Sequence, residues 1–171
     1  ALNRLGRPDD ARRAGDEARA AATQLLERHP THMLALRARA LVSSNLARVA
    51  LNELQPARRV SHADDAARDW ALLARIDPSN MITKANFIVA RQNAAEGLWD
   101  LGRPSDSAAK FLDNREVEAA AAASTLVSFN LYGSYVGAAY VTAERGQTAS
   151  ADKLFADAMR YFENYIRSTR Q

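Results

Sequence analysis

An all-α fold, a superhelix of stacked antiparallel helical hairpins, follows from three observations. The segment Leu-x-x-Leu-Gly-Arg-Pro-x-Asp occurs twice, at residues 2–10 and 98–106. Its glycines, Gly6 and Gly102, lie 96 residues apart, while Pro30 and Pro78, each closing an apolar helical run, lie 48 apart, half that interval. The composition then leaves little but helix. Alanine dominates, and only seven glycines and five prolines interrupt 171 residues. Alanine loses no side-chain entropy in a helix and makes a poor strand residue. A unit of about 44–49 residues, alternating long amphipathic runs with short turns, reads as a helical hairpin stacked on copies of itself.

The elements follow in order. Residues 1–5 look like the end of a helix cut from a longer polypeptide. Residues 1–171 are therefore read as a single repeat domain, a C-terminal or internal piece of a larger bacterial-type protein. Pro8-Asp9-Asp10 starts the first full helix, since proline fits a first turn and acids complement the positive helix end. Ala11, Ala14, Ala18, Ala22, Leu25 and Leu26 are expected to form its buried face, and His29-Pro30 stops it. Thr31 is expected to cap a second helix to about Leu54, with Leu34, Ala38, Leu41, Leu46 and Leu51 inward. A loop is expected over Gln55-Pro56 and Arg58-Arg59. Ser61, three residues before Asp64, then offers a capped start for the next helix, a capping-box variant with Asp in place of Glu. That helix runs through Ala66, Trp70, Leu73 and Ile76 to Asp77-Pro78. Ser79 or Asn80 caps the next, which ends at Gly102 in a left-handed turn. Pro104 opens a helix to about Ala123 with a kink near Asp113-Asn114. Ser124 or Thr125 starts another through Arg145, and the last runs from Thr148 to about Arg167.

Composition also narrows the function. With no cysteine, disulfides and thiolate metal sites are excluded. No apolar stretch approaches the roughly 20 residues needed to span a bilayer, and the segment is expected to be cytoplasmic. Net charge is +3, with +5 over residues 1–60 and −2 beyond. Nearly all the cations are arginine, without aromatic-basic interleaving or a recognition-helix pattern, which argues against nucleic acid.

The last hairpin resembles the tetratricopeptide repeat. Gly146, Ala151, Phe155 and Ala158 match that family's turn glycine, small, aromatic and small positions. Tyr135 and Ala139 occupy its aromatic and small positions in the preceding helix. Ala66, Trp70 and Asp77-Pro78 carry the resemblance in the second hairpin, and Ala95, Leu98, Gly102 and Phe111 in the third. The period is longer than that family's roughly 34 residues, and the first hairpin lacks the aromatic. Small residues let paired helices approach, and the aromatic fills the gap to the next hairpin. On this basis Trp70, Trp99, Phe87, Phe111, Phe129 and Phe155 are expected to pack between hairpins. Gly133 and Gly137 mark a close helix contact.

The resemblance implies that the first helix of each hairpin lines a concave groove. The candidate partner-binding residues lie there: the stripe Arg37, Asn45, Arg48 and Asn52; the pair Asn86 and Asn93; and Asn130, Tyr132 and Tyr140. Arginine and asparagine suit a peptide's carboxylate and backbone through charge-assisted and amide hydrogen bonds. Elsewhere the chemistry is thin. His29 and His32 are separated by proline and lack a nearby carboxylate. Ser61, His62, Asp64 and Asp65 are explained by helix capping. No phosphate loop, nucleophile motif or metal set is present. The chain is therefore expected to be a protein-interaction scaffold without enzymatic activity, cofactor or metal, binding a peptide or partner domain. The alternative is self-association, as a homodimer, or a sensory or regulatory arm of a larger signalling, transcriptional or enzymatic protein.

Overall fold

The computed structural model describes residues 7–169. The helical stub expected over residues 1–5, together with Gly6, lies outside them. Helices follow one another with short turns: α1 (Pro8–Arg28), α2 (Met33–Asn52), α3 (Pro56–Ile76), α4 (Met81–Asp100), α5 (Pro104–Leu112), α6 (Arg115–Glu118), a 3-10 segment (Ala119–Ala123), α7 (Thr125–Glu144) and α8 (Thr148–Thr169). Among the described residues there is no strand. Helices pack in sequence-adjacent pairs, with α2 on α3, α4 on α5 and α7 on α8, and each pair stacks on the next. This is a superhelix of hairpins.

Each hairpin turns by the same device. Leu54, Gly102 and Gly146 have φ of 55°, 69° and 74°, all in the left-handed region. In each case the next residue donates its backbone N–H five residues back: Gln55 to Ala50 at 2.9 Å, Arg103 to Leu98 at 2.9 Å, Gln147 to Thr142 at 3.2 Å. The left-handed residue itself donates three back, to Leu51, Trp99 and Ala143. This pattern satisfies the carbonyls that a helix end would otherwise leave open. Leu54-Gln55-Pro56 is thus a hidden copy of Gly102-Arg103-Pro104, with leucine where its equivalent has glycine. The expected loop over residues 55–59 is corrected accordingly. Pro56 is a helix-starting proline like Pro8 and Pro104, and Arg58, Arg59 and Ser61 lie inside α3.

The opposite turns share a second device. The side chains of His32, Asn80 and Ser124 accept hydrogen bonds from the backbone N–H of Ala35, Thr83 and Val127, at 3.2, 3.1 and 3.3 Å. These caps sit at equivalent points of successive units, 48 and 44 residues apart. The cap of α2 is His32, not the expected Thr31. The shorter last interval arises where the second helix of its hairpin breaks at Asp113-Asn114 and tightens into the 3-10 segment. Buried Asn114 donates to the Phe111 carbonyl at 2.7 Å, and Ser128 donates to that of Ala121 at 2.6 Å.

A main core cluster runs from α1 to α7, and a separate one around Phe111 joins α4, α5 and α7. The main cluster links Leu26 of α1, Leu36 of α2, Trp70 of α3, Ile88 of α4, Val117 of α6 and Leu131 of α7. Each such side chain contributes roughly 1.5–3 kcal/mol by leaving water. Alanines 40, 66, 94 and 138 are fully buried where helices cross. Several expected core positions face outward instead. Leu34, Leu41 and Leu51 of α2 are exposed, as is Ala38, because α2 turns that face away from both α1 and α3. Ala14, Ala18 and Leu25 are exposed because α1, at the edge of the stack, packs chiefly on α2.

Leu54 is exposed, so its side chain adds no packing to offset its backbone conformation. Left-handed geometry costs roughly 1–2 kcal/mol in a non-glycine residue, more than the roughly 0.5–1 kcal/mol of extra chain entropy that glycine loses. Leu54→Gly is expected to stabilise the protein by about 0.5–1 kcal/mol, raising the thermal midpoint by roughly 2 °C. An unchanged or lower midpoint would show that the turn carries no such strain.

Candidate functional site

The first helices of the three hairpins, α2, α4 and α7, begin at Met33, Met81 and Thr125 and are all 20 residues long. Their outward stripes therefore align. Near the starts, Leu34, Ile82 and Leu126 are exposed and apolar. Mid-helix, Asn45 aligns with Asn93, and Asn86 with Asn130. Near the ends, Arg48, Glu96 and Tyr140 align, followed by Asn52, Asp100 and Glu144.

A cavity of about 760 Å³ opens across these helices, mostly between α4 and α7. Its walls include Trp99 of α4 and Tyr132 and Tyr140 of α7, with Leu51 of α2 at one side. The Trp99 and Tyr140 rings meet edge-on with centroids 6.0 Å apart, a geometry that favours aromatic pairs. Tyr132 packs against Phe162 of α8 at 5.1 Å, and Phe129 against Tyr165 at 5.2 Å, so α8 buttresses this wall from behind. The floor exists because two side chains are missing. A Cβ on Gly137 would lie 2.6 Å from the Phe111 ring, and one on Gly133 would lie 3.0 Å from Gln92 Nε2. Gln92 uses that space to donate to the Asn130 carbonyl at 2.8 Å, joining α4 to α7. The expected close contact at Gly133 and Gly137 is thus made by α5 and α4.

The electrostatic centre of the cavity is Arg59, from α3. Its side chain is only 4% exposed. It donates to Asp100 at 3.2 Å, to Asn93 at 3.4 Å and to Glu96. Asn93 in turn donates to the Val89 carbonyl at 2.9 Å. Glu96 and Asp100 stay about half exposed at the mouth. A charge as deep as this needs such partners, since an unpaired one costs several kcal/mol.

Of the nine residues expected from sequence, Asn130, Tyr132 and Tyr140 line the cavity. Asn93 touches it through Arg59. Asn86 is half-buried on α4 and is not among the lining residues. Arg37, Asn45, Arg48 and Asn52 lie exposed on α2, outside the cavity, and Arg48 donates to Asn45 at 2.6 Å. Sequence reasoning missed Gln92, Glu96, Trp99, Asp100 and Arg59. The first four become visible once the helices are aligned from their caps; Arg59 does not, because it reaches the groove from a second helix. Trp70, Phe87 and Phe111 are buried as expected, Trp99 is half-buried, and Phe129 and Phe155 are exposed. For those two the packing expectation is corrected: Phe129 lines the cavity and packs on Tyr132 and Tyr165 within its own hairpin, and no further hairpin covers Phe155 among the described residues.

Other polar groups tie the units together. His62 is half-buried with Nδ1 3.3 Å from the Arg19 guanidinium, and burial followed by that cation holds its pKa below the usual histidine value. Asp65 pairs with Arg19 at 3.1 Å and Asp64 with Lys110 at 3.0 Å. Arg39 holds buried Asp69 through two hydrogen bonds of 2.8 and 2.7 Å. Tyr135 donates to Glu118 at 2.8 Å, and burial followed by that carboxylate raises its pKa. Among the described residues no cluster of three or more His, Cys, Asp or Glu is placed to hold a metal ion, and no helix is long and apolar enough to cross a membrane. A scan against protein-family models and searches of curated proteins and solved structures found no match to this chain.

Gly137→Ala is expected to destabilise the protein by about 1–3 kcal/mol, because the new methyl must displace the Phe111 ring. Phe111→Leu in the same chain should recover part of the loss. Urea unfolding measures both, and wild-type stability for Gly137→Ala would contradict the close contact.

Proposed function

We propose that this chain is a scaffold of lengthened tetratricopeptide-like repeats that holds a partner peptide or domain segment in the groove across α2, α4 and α7. The observation that supports this is the cavity. Its volume falls within the roughly 300–1,000 Å³ of typical ligand sites, and its walls are aromatic with polar groups at the rim. Such rings anchor interfaces because they bury large area at small entropic cost. The aligned asparagines of α4 and α7 supply donors and acceptors for a peptide backbone. The resemblance of the last hairpin to tetratricopeptide repeats adds weight, as do the equivalent left-handed turns and caps; the longer period and the missing aromatic of the first unit set it apart. On this reading Arg37, Arg48 and Asn52 extend the contact surface along α2, and the module acts by binding rather than turnover.

The test is site-specific photo-crosslinking. With a photoreactive phenylalanine at Tyr140 or Arg48, one and the same partner is expected to be captured from both positions. The same probe at Asp152, exposed on α8, should not capture it. Capture from Asp152 alone would remove the groove assignment.

A second reading, self-association, is favoured by one observation. Phe111 and Phe155 stand nine residues beyond Gly102 and Gly146, yet Phe111 is buried against Gly137 and Phe155 is 52% exposed, with Met159 a turn later also exposed. A second copy covering this face would bury both. Sedimentation velocity across a concentration series is then expected to show a rising mean mass, abolished by Phe155→Asp. A constant monomer mass would eliminate this reading.

A further inference from the structure

The groove's charge identifies the class of side chain that it takes. Among the residues lining the cavity the charged groups are Arg59, Glu96 and Asp100. Arg59 is buried; its two terminal guanidinium nitrogens are already committed to Asn93 and to both carboxylates, and its Nε is sealed from solvent without a partner. Glu96 and Asp100 are about half exposed. Each carboxylate accepts up to about four hydrogen bonds, so acceptor capacity remains on the open side of both. An incoming anion would meet these two carboxylates first, with the one cation behind them. Beside the carboxylates stand the Trp99 and Tyr140 rings, and Tyr140 is 59% exposed. Aromatic faces attract cations, arginine above all. Val136, Val141 and Phe111 provide apolar surface deeper in, which suits the aliphatic stem of arginine or lysine and a neighbouring apolar residue.

We infer that the groove recognises a segment carrying an arginine or lysine next to an apolar residue, its cationic head between Glu96, Asp100 and the Trp99–Tyr140 pair. This rests on the scaffold reading above and reverses, for the cavity, the carboxylate-gripping chemistry expected from the arginines of α2.

Nuclear magnetic resonance of the ¹⁵N-labelled protein tests it through its two tryptophan indole signals. Trp99 lines the cavity and Trp70 is buried in the core. The probes are N-acetyl-leucyl-arginine amide, its neutral citrulline counterpart and the leucyl-glutamate amide. The arginine probe is expected to shift Trp99 saturably and leave Trp70 still, at about fivefold lower concentration than the citrulline probe. The glutamate probe should be weakest. Added salt should narrow the preference for arginine over citrulline, as should Glu96→Gln, which keeps an acceptor for Arg59. Tyr140→Leu, which removes an exposed ring without touching that ion pair, should narrow it too. Equal half-saturation for arginine and citrulline would leave the groove standing and overturn the cation assignment, as would tighter binding of the glutamate probe. Movement of neither tryptophan with any probe would also overturn it, and the scaffold reading would then stand or fall on the crosslinking.

Discussion

A helix reverses direction most tightly when one residue adopts left-handed backbone and the N–H groups there return to the carbonyls just passed. Leu54, Gly102 and Gly146 do this in turn, and much else is set by their spacing. They place Pro56, Pro104 and Thr148 at the starts of the second helices. Together with the caps at His32, Asn80 and Ser124 they hold the three first helices to the same 20-residue length. Equal length is what brings Asn45 into line with Asn93, and Asn86 with Asn130. The groove is thus a consequence of turn chemistry before it is a matter of side chains.

Packing explains why the array is tight where α4, α5 and α7 meet. Fully buried Ala94, Ala95 and Ala138 permit close crossings, and Gly137 lets the Phe111 ring lie directly on the α7 backbone. The same two glycines that admit Phe111 and Gln92 also leave two gaps in the α7 face, between the side chains of Tyr132, Val136 and Tyr140, and these gaps give the cavity its floor. Close packing and an open pocket therefore come from one substitution pattern. Ionic links run alongside this core. The exposed pairs within a helix, such as Arg68 with Asp65, contribute little. The ties between helices, Arg39 with Asp69 and Arg59 with Glu96 and Asp100, fix the register of buried surfaces.

Arg59 connects the fold to the site. Crossing from α3 to the groove, it neutralises part of a carboxylate pair and leaves the remainder facing outward. The α2 edge of the array keeps exposed arginines, so the surface grades from basic on α2 to acidic and aromatic between α4 and α7. A partner segment lying across the three helices would meet both.

The amino-acid sequence by itself determined the helical class, the repeat interval and most helix ends, because proline, glycine and capping residues act within a few positions of one another. The paired motifs at Gly6 and Gly102, and the break near Asp113-Asn114, were legible for that reason. The turn at Leu54 was not, since leucine enters left-handed backbone only when the helices on either side hold it there. The inward faces of α1 and α2 were likewise decided by tertiary structure. Leu34, Leu41 and Leu51 look like core residues in a helical pattern, yet which stripe is buried depends on where the neighbouring hairpins sit. The groove followed the same rule. Asn130, Tyr132 and Tyr140 could be placed from spacing along one helix, whereas Arg59 joined Glu96 and Asp100 across 37 and 41 residues of chain, a contact that only three-dimensional packing creates.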